Sequence, residues 1–265
     1  MIDNNEKLVF GISNIAMQAG KIIMEHYNND SEVNFKKDKS PLTNADLQSN
    51  KFITNELSLL NDKIPILSEE SLISWNKRKT WNTYWLVDPL DGTKEFINKN
   101  GEFTVNIALI KNNEPILGVI YVPAISLLYF AQRNKGSYKI SCSKNLSSLE
   151  RSIRLNVNMK KKSDKIIIIG SRSHSNEKFN KWVKENFVNY DIIQKGSSLK
   201  LCEIAEGAAD IYPRFGYTSE WDIAAGQIIL EEAGGSILNL NNEKLFYNIK
   251  ESLINPEFIA SGKIF

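Results

Sequence analysis

Cysteine and histidine are scarce in this chain, and their scarcity removes whole classes of chemistry. Among 265 residues there are two cysteines, Cys142 and Cys202, and two histidines. With no Cys-x-x-Cys spacing and so few imidazoles, neither a cysteine zinc cluster nor a histidine-rich transition-metal site has ligands to build on. No Gly-x-Gly-x-x-Gly and no Gly-x-x-x-x-Gly-Lys occurs, so dinucleotide and P-loop readings lack their phosphate-binding turn. The serines of GSRSH (170–174) are not enclosed by a nucleophile elbow, which leaves His174 as a loop residue. Long apolar runs are missing too. Asp3 and Glu6 precede GISNIAMQAG, itself broken by polar residues, so neither a signal peptide nor a transmembrane segment is expected. The default location is then the cytoplasm, with a peripheral position at the inner membrane as the alternative. Nor does one sign of charge dominate. Lys plus Arg total 33 against 31 Asp plus Glu, a formal +2, which gives no reason to expect a nucleic-acid partner. Lysines gather at KKDK (36–39) and MKKKSDK (159–165) without interleaved aromatics. They fit solvated loops, or a role in drawing in an anionic substrate.

What is present is an ordinary globular composition, 42% hydrophobic and 24% charged, enough to bury a sizeable core. Leu8, Ile12, Ile15, Ala19, Ile22, Ile23 and Tyr27 recur at helical spacing and predict a first helix over 8–27. Thr43 and Asp46 open a second that runs to about Leu60. A short strand in IPILSEE ends in Glu69 and Glu70, and strands follow at TYWLV, FTVNIALI, ILGVIYVP and LLYFAQ, with another at Gly136 to Ile140. The polar tract from Ser141 to Ser152 and the LNVNMKKKSD after it form the junction between two halves. Beyond it, KIIIIGS has no polar face and reads as a buried strand. Helices are expected at 176–188, 198–208 and 221–233, with strands near Ala209–Tyr212 and Ser236–Leu238. The order implies a layered α/β protein.

Carboxylate is the metal-ligand type available in quantity, and it favours hard cations. In WLVDPLDGTKEF (85–96) a strand ending at Val87 delivers Asp88, Pro89 restricts the backbone so that Asp91 returns to the same point, and Gly92 allows a tight turn whose amides can face an anion. Neighbouring carboxylates repel unless a cation compensates them. The spacing suits a carboxylate bridging two cations, a second holding one of them, the Leu90 carbonyl completing a shell and the Thr93 hydroxyl beside it; a plain Asp-Pro turn has the same sequence. Glu69 and Glu70 are either solvated or the outside carboxylate that such a site needs. Asp222 in SEWDIAAGQIILEEAGG (219–235) sits in the first turn of a helix, where an acid is favoured without any function; yet it lies on the packed stripe of that helix, where an acid requires a partner. Ala224, Ala225 and Gly226 are small enough to bring that helix start close to the sheet. Asp46 is a capping-box residue, or the acceptor for Thr93. Four acids without a covalent nucleophile point to attack by metal-activated water, and a phosphate monoester is the electrophile that gains most from it.

Together SPLTNAD (40–46), PILSEE (65–70), WLVDPLDGTKEF and SEWDIAAGQIILEEAGG resemble, in order and spacing over nearly the whole chain, the inositol monophosphatase superfamily of Mg²⁺-dependent, lithium-sensitive phosphatases. DPLDGTKEF with GSSLKLCEIAEGAADIYPRFGYTSEWD (196–222) resembles more narrowly its 3'(2'),5'-bisphosphate nucleotidase branch. The resemblance implies an α-β-α-β-α sugar-phosphatase fold. It implies an N-terminal α+β half (1–140) with most of the metal ligands and a C-terminal α/β half (141–265) that closes the site and contributes Asp222. Glu69, Asp88 and the Leu90 carbonyl would hold one Mg²⁺ and Asp88, Asp91 and Asp222 a second, with two or three ions per site. Glu69 and Thr93 would engage the attacking water, Asp46 would support Thr93, and Gly92 and Thr93 backbone groups would contact the phosphate. The implied reaction is hydrolysis of adenosine 3',5'-bisphosphate to AMP and phosphate, with the 3'-phosphosulfate analogue as a second substrate. Ser197, Ser198 and Lys200 are candidates for the ribose or 5'-phosphate. Rival readings are an inositol-1-monophosphatase, a fructose-1,6-bisphosphatase, or a non-catalytic phospholigand sensor. Both monomer and homodimer are compatible with the sequence.

Overall fold

Apolar periodicity places the elements, and their two-sided burial stacks them. The computed structural model describes residues 4–29, 33–35, 41–142, 146–172 and 177–265; KKDK, Ser40 and His174 lie outside the described residues. In chain order come α1 (Asn4–Asn28), β1 (Val33–Phe35), β2 (Pro41–Thr43), α2 (Asn44–Leu60), β3 (Ile66–Ser68), α3 (Trp75–Arg78), β4 (Thr83–Asp91) and α4 (Thr93–Ile97). Next are β5 (Thr104–Lys111), β6 (Glu114–Val122), β7 (Leu127–Gln132), β8 (Gly136–Ser141), β9 (Ile153–Arg154) and β10 (Met159–Lys160). The last third holds β11 (Ile166–Ser171), α5 (Glu177–Asn186), β12 (Tyr190–Lys195), α6 (Leu199–Ala205), β13 (Ile211–Arg214), α7 (Glu220–Glu232), β14 (Ser236–Asn239), β15 (Phe258–Ser261) and β16 (Lys263–Ile264).

Strands β3 to β9 form one seven-stranded sheet in sequence order, with β3 parallel to β4 and the rest antiparallel. Along β4, Trp85 and Val87 pack with α1 and α2, while Tyr84 and Leu86 pack with α6 and α7. On β5, Ile107 and Leu109 join the first group and Ala108 and Ile110 the second. A sheet apolar on both faces needs a layer on each. The α6/α7 core continues into Ile169, Tyr212, Ile237 and Phe258 of a five-stranded sheet ordered β12-β11-β13-β15-β14. The far face of that sheet, with Ile166, Ile168 and Ile211, is covered by Phe179 and Val183 of α5. Five alternating layers, α-β-α-β-α, result.

Helix α7 is the buried centre of this stack. Ile228, Ile229 and Leu230 are fully enclosed, each worth about 2 kcal/mol of transfer free energy. Its approach to β6 is so close that a Cβ on Gly118 would stand 2.6 Å from the Ala225 carbonyl. The small residues at the helix start therefore set its distance from the sheet.

Strand β4 does not stop at Val87 as expected but runs through DPLD to Asp91. Its pairing with β5 is irregular between Asp88 and Asp91, where Pro89 has no N–H to donate. The helix expected over 198–208 ends at Ala205, with Gly207 at φ +76 just beyond. Elements α3, α4, β1, β2, β9, β10, β12, β15 and β16 were not expected; most are two to five residues long, too short for a periodic signal. No helix among the described residues is long and apolar enough to cross a membrane.

Candidate active site

The parallel pairing of β3 with β4 aligns Ser68 with Val87. The Glu69 N–H then donates to the Val87 carbonyl at 3.1 Å, which sets Glu69 beside Asp88. The turn after Asp88 is fixed twice. Asp88 Oδ1 accepts the Leu90 N–H at 3.1 Å, and Ser49 of α2 donates to the Pro89 carbonyl at 2.8 Å. From much further along the chain, α7 brings Asp222, whose Oδ2 accepts the Ser219 N–H at 2.9 Å. One carboxylate oxygen from each of Glu69, Asp88 and Asp222 lies within 4.8 Å of the other two.

These acids carry the strain of that convergence. Burial, then the charges of Glu69, Asp91, Asp222 and Asp46, push Asp88 well above its usual range. Burial and Asp91 do the same to Asp222. Asp91 is also raised by burial, but Lys200, Ser197, Ser198 and Asn106 oppose the shift. Such groups stay ionised at neutral pH only beside a compensating positive charge. Three convergent hard oxygen donors fit a divalent cation of the Mg²⁺ type.

Asp46 satisfies both of its sequence readings at once. Its Oδ2 accepts the Thr43 N–H at 2.7 Å and the Thr43 hydroxyl at 2.6 Å, capping α2. Its Oδ1 accepts the Thr93 hydroxyl at 3.2 Å. The Leu90 carbonyl stands 3.5 Å from the same hydroxyl. Gly92, at φ +90, starts α4, and a Cβ there would meet the Glu102 carbonyl at 3.1 Å and Ser197 Cβ at 3.2 Å. Glycine is needed for both the conformation and the space.

Glu69, Asp91, Gly92, Thr93, Asp222, Ser197, Ser198, Lys200, Tyr212 and Arg214 line a cleft of about 240 Å³. Buried Lys200 donates to the Ser197 carbonyl, and its Nζ lies 5.5 Å from the Tyr212 ring centroid. Burial lowers its pKa to about 8, opposed by Asp91. Ser197 and Ser198 direct their hydroxyls toward Asp91, Thr104 and Asn106. The described lysines of MKKKSDK line no part of the cleft. Sequence reasoning did not single out Arg214, Tyr212, Thr104 or Asn106. Arg214 Nη2 donates to the Tyr217 carbonyl at 2.7 Å, while its Nε has no hydrogen-bond partner among the described residues. Arg214 is 9% exposed, but neither it in YPRFGY nor the Thr104–Asn106 pair inside a β-strand carried a local signal.

A cleft that brings convergent carboxylates together with buried cations, within five alternating layers, defines a class. The model of the inositol monophosphatase family matches residues 4–263, and the chain belongs to that family. Its relatives include proteins named 3'(2'),5'-bisphosphate nucleotidase CysQ. The one from Buchnera aphidicola is 42% identical over 262 residues, covering 97% of this chain and 94% of the relative. That from Salmonella typhimurium is 40% identical over 249 residues, covering 93% and 96%. The crystal structure of CysQ from Bacteroides thetaiotaomicron, a bacterial member of the family, superposes with a TM-score of 0.87 at 40% identity, covering 98% of each chain.

Proposed function

We propose that this chain is a phosphoric monoester hydrolase, a 3'(2'),5'-bisphosphate nucleotidase that converts adenosine 3',5'-bisphosphate to AMP and phosphate. One observation carries the chemistry: carboxylate oxygens of Glu69, Asp88 and Asp222 lie within 4.8 Å of one another, and Glu69 and Asp222 line a cleft shared with buried Lys200 and Arg214. The nucleotide specificity is supported by the CysQ relatives, 38–42% identical over nearly the whole chain.

On this reading the 1–140 half supplies Glu69, Asp88, the Leu90 carbonyl and Asp91, the 141–265 half supplies Asp222, and together they hold two or three Mg²⁺ ions. Bound there, the cation neutralises phosphate oxygens and lowers the pKa of water. The protein's own groups orient the reactants. Thr93 donates its hydroxyl hydrogen bond to Asp46 Oδ1, so its lone pairs are free to accept a hydrogen bond from a water in the cleft. Asp46 cannot turn away, because two bonds from Thr43 hold its other oxygen. Glu69 takes one proton of that water as its oxygen attacks phosphorus and the bond to the leaving ribose oxygen breaks, while the other proton stays on the attacking oxygen, hydrogen-bonded to Thr93. The Gly92 and Thr93 amides donate to the phosphate under attack, and Lys200 with Arg214 receives the second phosphate.

The test is kcat/KM on adenosine 3',5'-bisphosphate, inositol 1-phosphate and fructose 1,6-bisphosphate, side by side, with Mg²⁺ and after exhaustive chelation. Preference for the nucleotide with loss on chelation is expected. Preference for inositol 1-phosphate would overturn the substrate, and phosphate release indifferent to chelation would overturn the metal.

A further inference from the structure

Asp91 differs from the other acids of the cleft in what surrounds it. Among the described residues, all three of its hydrogen bonds end on Oδ2: from the Ser198 N–H at 2.7 Å, the Ser197 hydroxyl at 2.8 Å and Asn106 Nδ2 at 3.3 Å. Behind these donors stands a second row. Thr104 Oγ1 is 2.6 Å from Ser197 Oγ and 2.8 Å from Ser198 Oγ, and Ser198 Oγ is 2.9 Å from Asn106 Oδ1. Thr104, Asn106 and Ser198 are buried, so water cannot relieve a mismatched proton among them, while Ser197 and Asp91 line the cleft.

Proton counting gives the cluster a direction. An ionised carboxylate accepts only, and each hydroxyl has one proton. Ser197 must give its proton to Asp91, and so can only accept from Thr104. Thr104 then gives its proton to Ser197 or to Asn106 Oδ1, 2.9 Å away, and Ser198 gives its own to Thr104 or to Asn106 Oδ1. Asn106, its oxygen occupied, aims Nδ2 at Asp91. Every assignment ends with donors converging on one oxygen.

We infer that Thr104, Asn106, Ser197 and Ser198 form a hydroxyl–amide latch that fixes the rotation of Asp91, saturating Oδ2 and leaving Oδ1 as the one oxygen offered to a cation. These are positioning residues, and the inference rests on the metal-dependent reading above. The latch joins the two halves: β4 and β5 supply Asp91, Thr104 and Asn106, and the turn before α6 supplies the serines. Thr104 faces Asp91 in the β4/β5 register and Asn106 faces Asp88, so both fall on one face of β5. Ser197 adopts φ +52, a left-handed conformation that glycine would take without strain. Serine there keeps the hydroxyl at the expense of backbone comfort, as functional positions do.

The experiment uses the full chain, with Mn²⁺ affinity read by electron paramagnetic resonance and melting measured in EDTA. Ser197→Ala and Ser197→Gly both remove the hydroxyl, but only glycine relieves the backbone. Both should lose about tenfold in Mn²⁺ affinity, while the glycine variant melts about 2 °C above the alanine variant. Thr104→Val should weaken Mn²⁺ binding and Thr104→Ser restore it. Affinity that follows melting temperature instead of the hydroxyl overturns the latch. Wild-type affinity in both Ser197 variants overturns it alone, whereas a wild-type chain that binds no Mn²⁺ overturns the metal reading and the latch with it.

Discussion

Helix α2 is led in by Thr43-Asn44-Ala45-Asp46 and helix α7 by Ser219-Glu220-Trp221-Asp222, one local pattern used at two distant places in the chain. In each, the aspartate turns Oδ2 back to the N–H of the capping residue, at 2.7 Å from Thr43 and 2.9 Å from Ser219. They differ in what the remaining oxygen meets. For Asp46 it is the hydroxyl of Thr93; for Asp222 it is the group of Glu69 and Asp88. A capping box thus orients a carboxylate without assigning it a task. The neighbour brought by the fold makes one a support for a hydroxyl and the other a candidate ligand.

The largest effect separates ligands from supports. Asp88→Asn, at the buried centre of the acidic group, should lower kcat on the order of 10³-fold. Asp46→Asn acts through Thr93 and should cost about 10- to 100-fold. Equal small losses in folded variants would show that the two acids are not distinguished in this way.

In the same cleft, Lys200→Ala should raise KM for adenosine 3',5'-bisphosphate about tenfold. A phosphate ester lacking the 5'-phosphate should be indifferent to the change. An equal rise for both substrates would remove Lys200 from contact with the second phosphate.

Stability should divide the two aspartates in the opposite direction. Ionised Asp222 is opposed by Asp91 and Glu69, so Asp222→Asn should raise the melting temperature in EDTA by about 3 °C. Asp46→Asn, whose oxygen can still cap Thr43, should move it by less than about 1 °C. Melting that falls for Asp222→Asn would mean its charge is compensated in the metal-free protein.

The same convergence sets the pH response. Asp88 and Asp222 are raised above 3.8, and burial raises Glu220 from 4.5 to about 7, against the Asn248 N–H and Arg78. For an acid raised on folding, the folded state holds the proton while the unfolded state has released it. Stability therefore falls as pH climbs from about 4 through 7 and beyond. Melting in EDTA should drop between pH 5 and pH 8, and saturating Mg²⁺ should raise it more at pH 8 than at pH 5. A melting temperature that climbs with pH in EDTA would contradict the shifts.

Much of this was legible in the chain. The 8–27 stripe, the apolar runs TYWLV and FTVNIALI between turn-formers and the four isoleucines of KIIIIGS marked α1, β4, β5 and β11, because one-sided burial of a helix leaves a period and two-sided burial of a strand leaves a continuous apolar run. The acids of DPLDGT, Glu69, Asp222 and Asp46 stood out because carboxylates behind apolar strands or on packed helix stripes need partners. Thr104 and Asn106 did not, since polar residues at i and i+2 of a strand usually face water. Arg214, between Pro213 and Phe215, carried no local pattern.

By itself the sequence determined the helix starts, the strand alternation and the candidate acids, since caps, periodicity and backbone restriction act within a few residues. Only the tertiary structure decided that Glu69 stands beside Asp88, that Asp222 reaches them from another half, and that two serines 106 and 107 positions away direct donors to Asp91. Those proximities follow from strand register and from α7 packing onto Gly118. Burial energy summed over whole layers selects them, and no short stretch of chain encodes them.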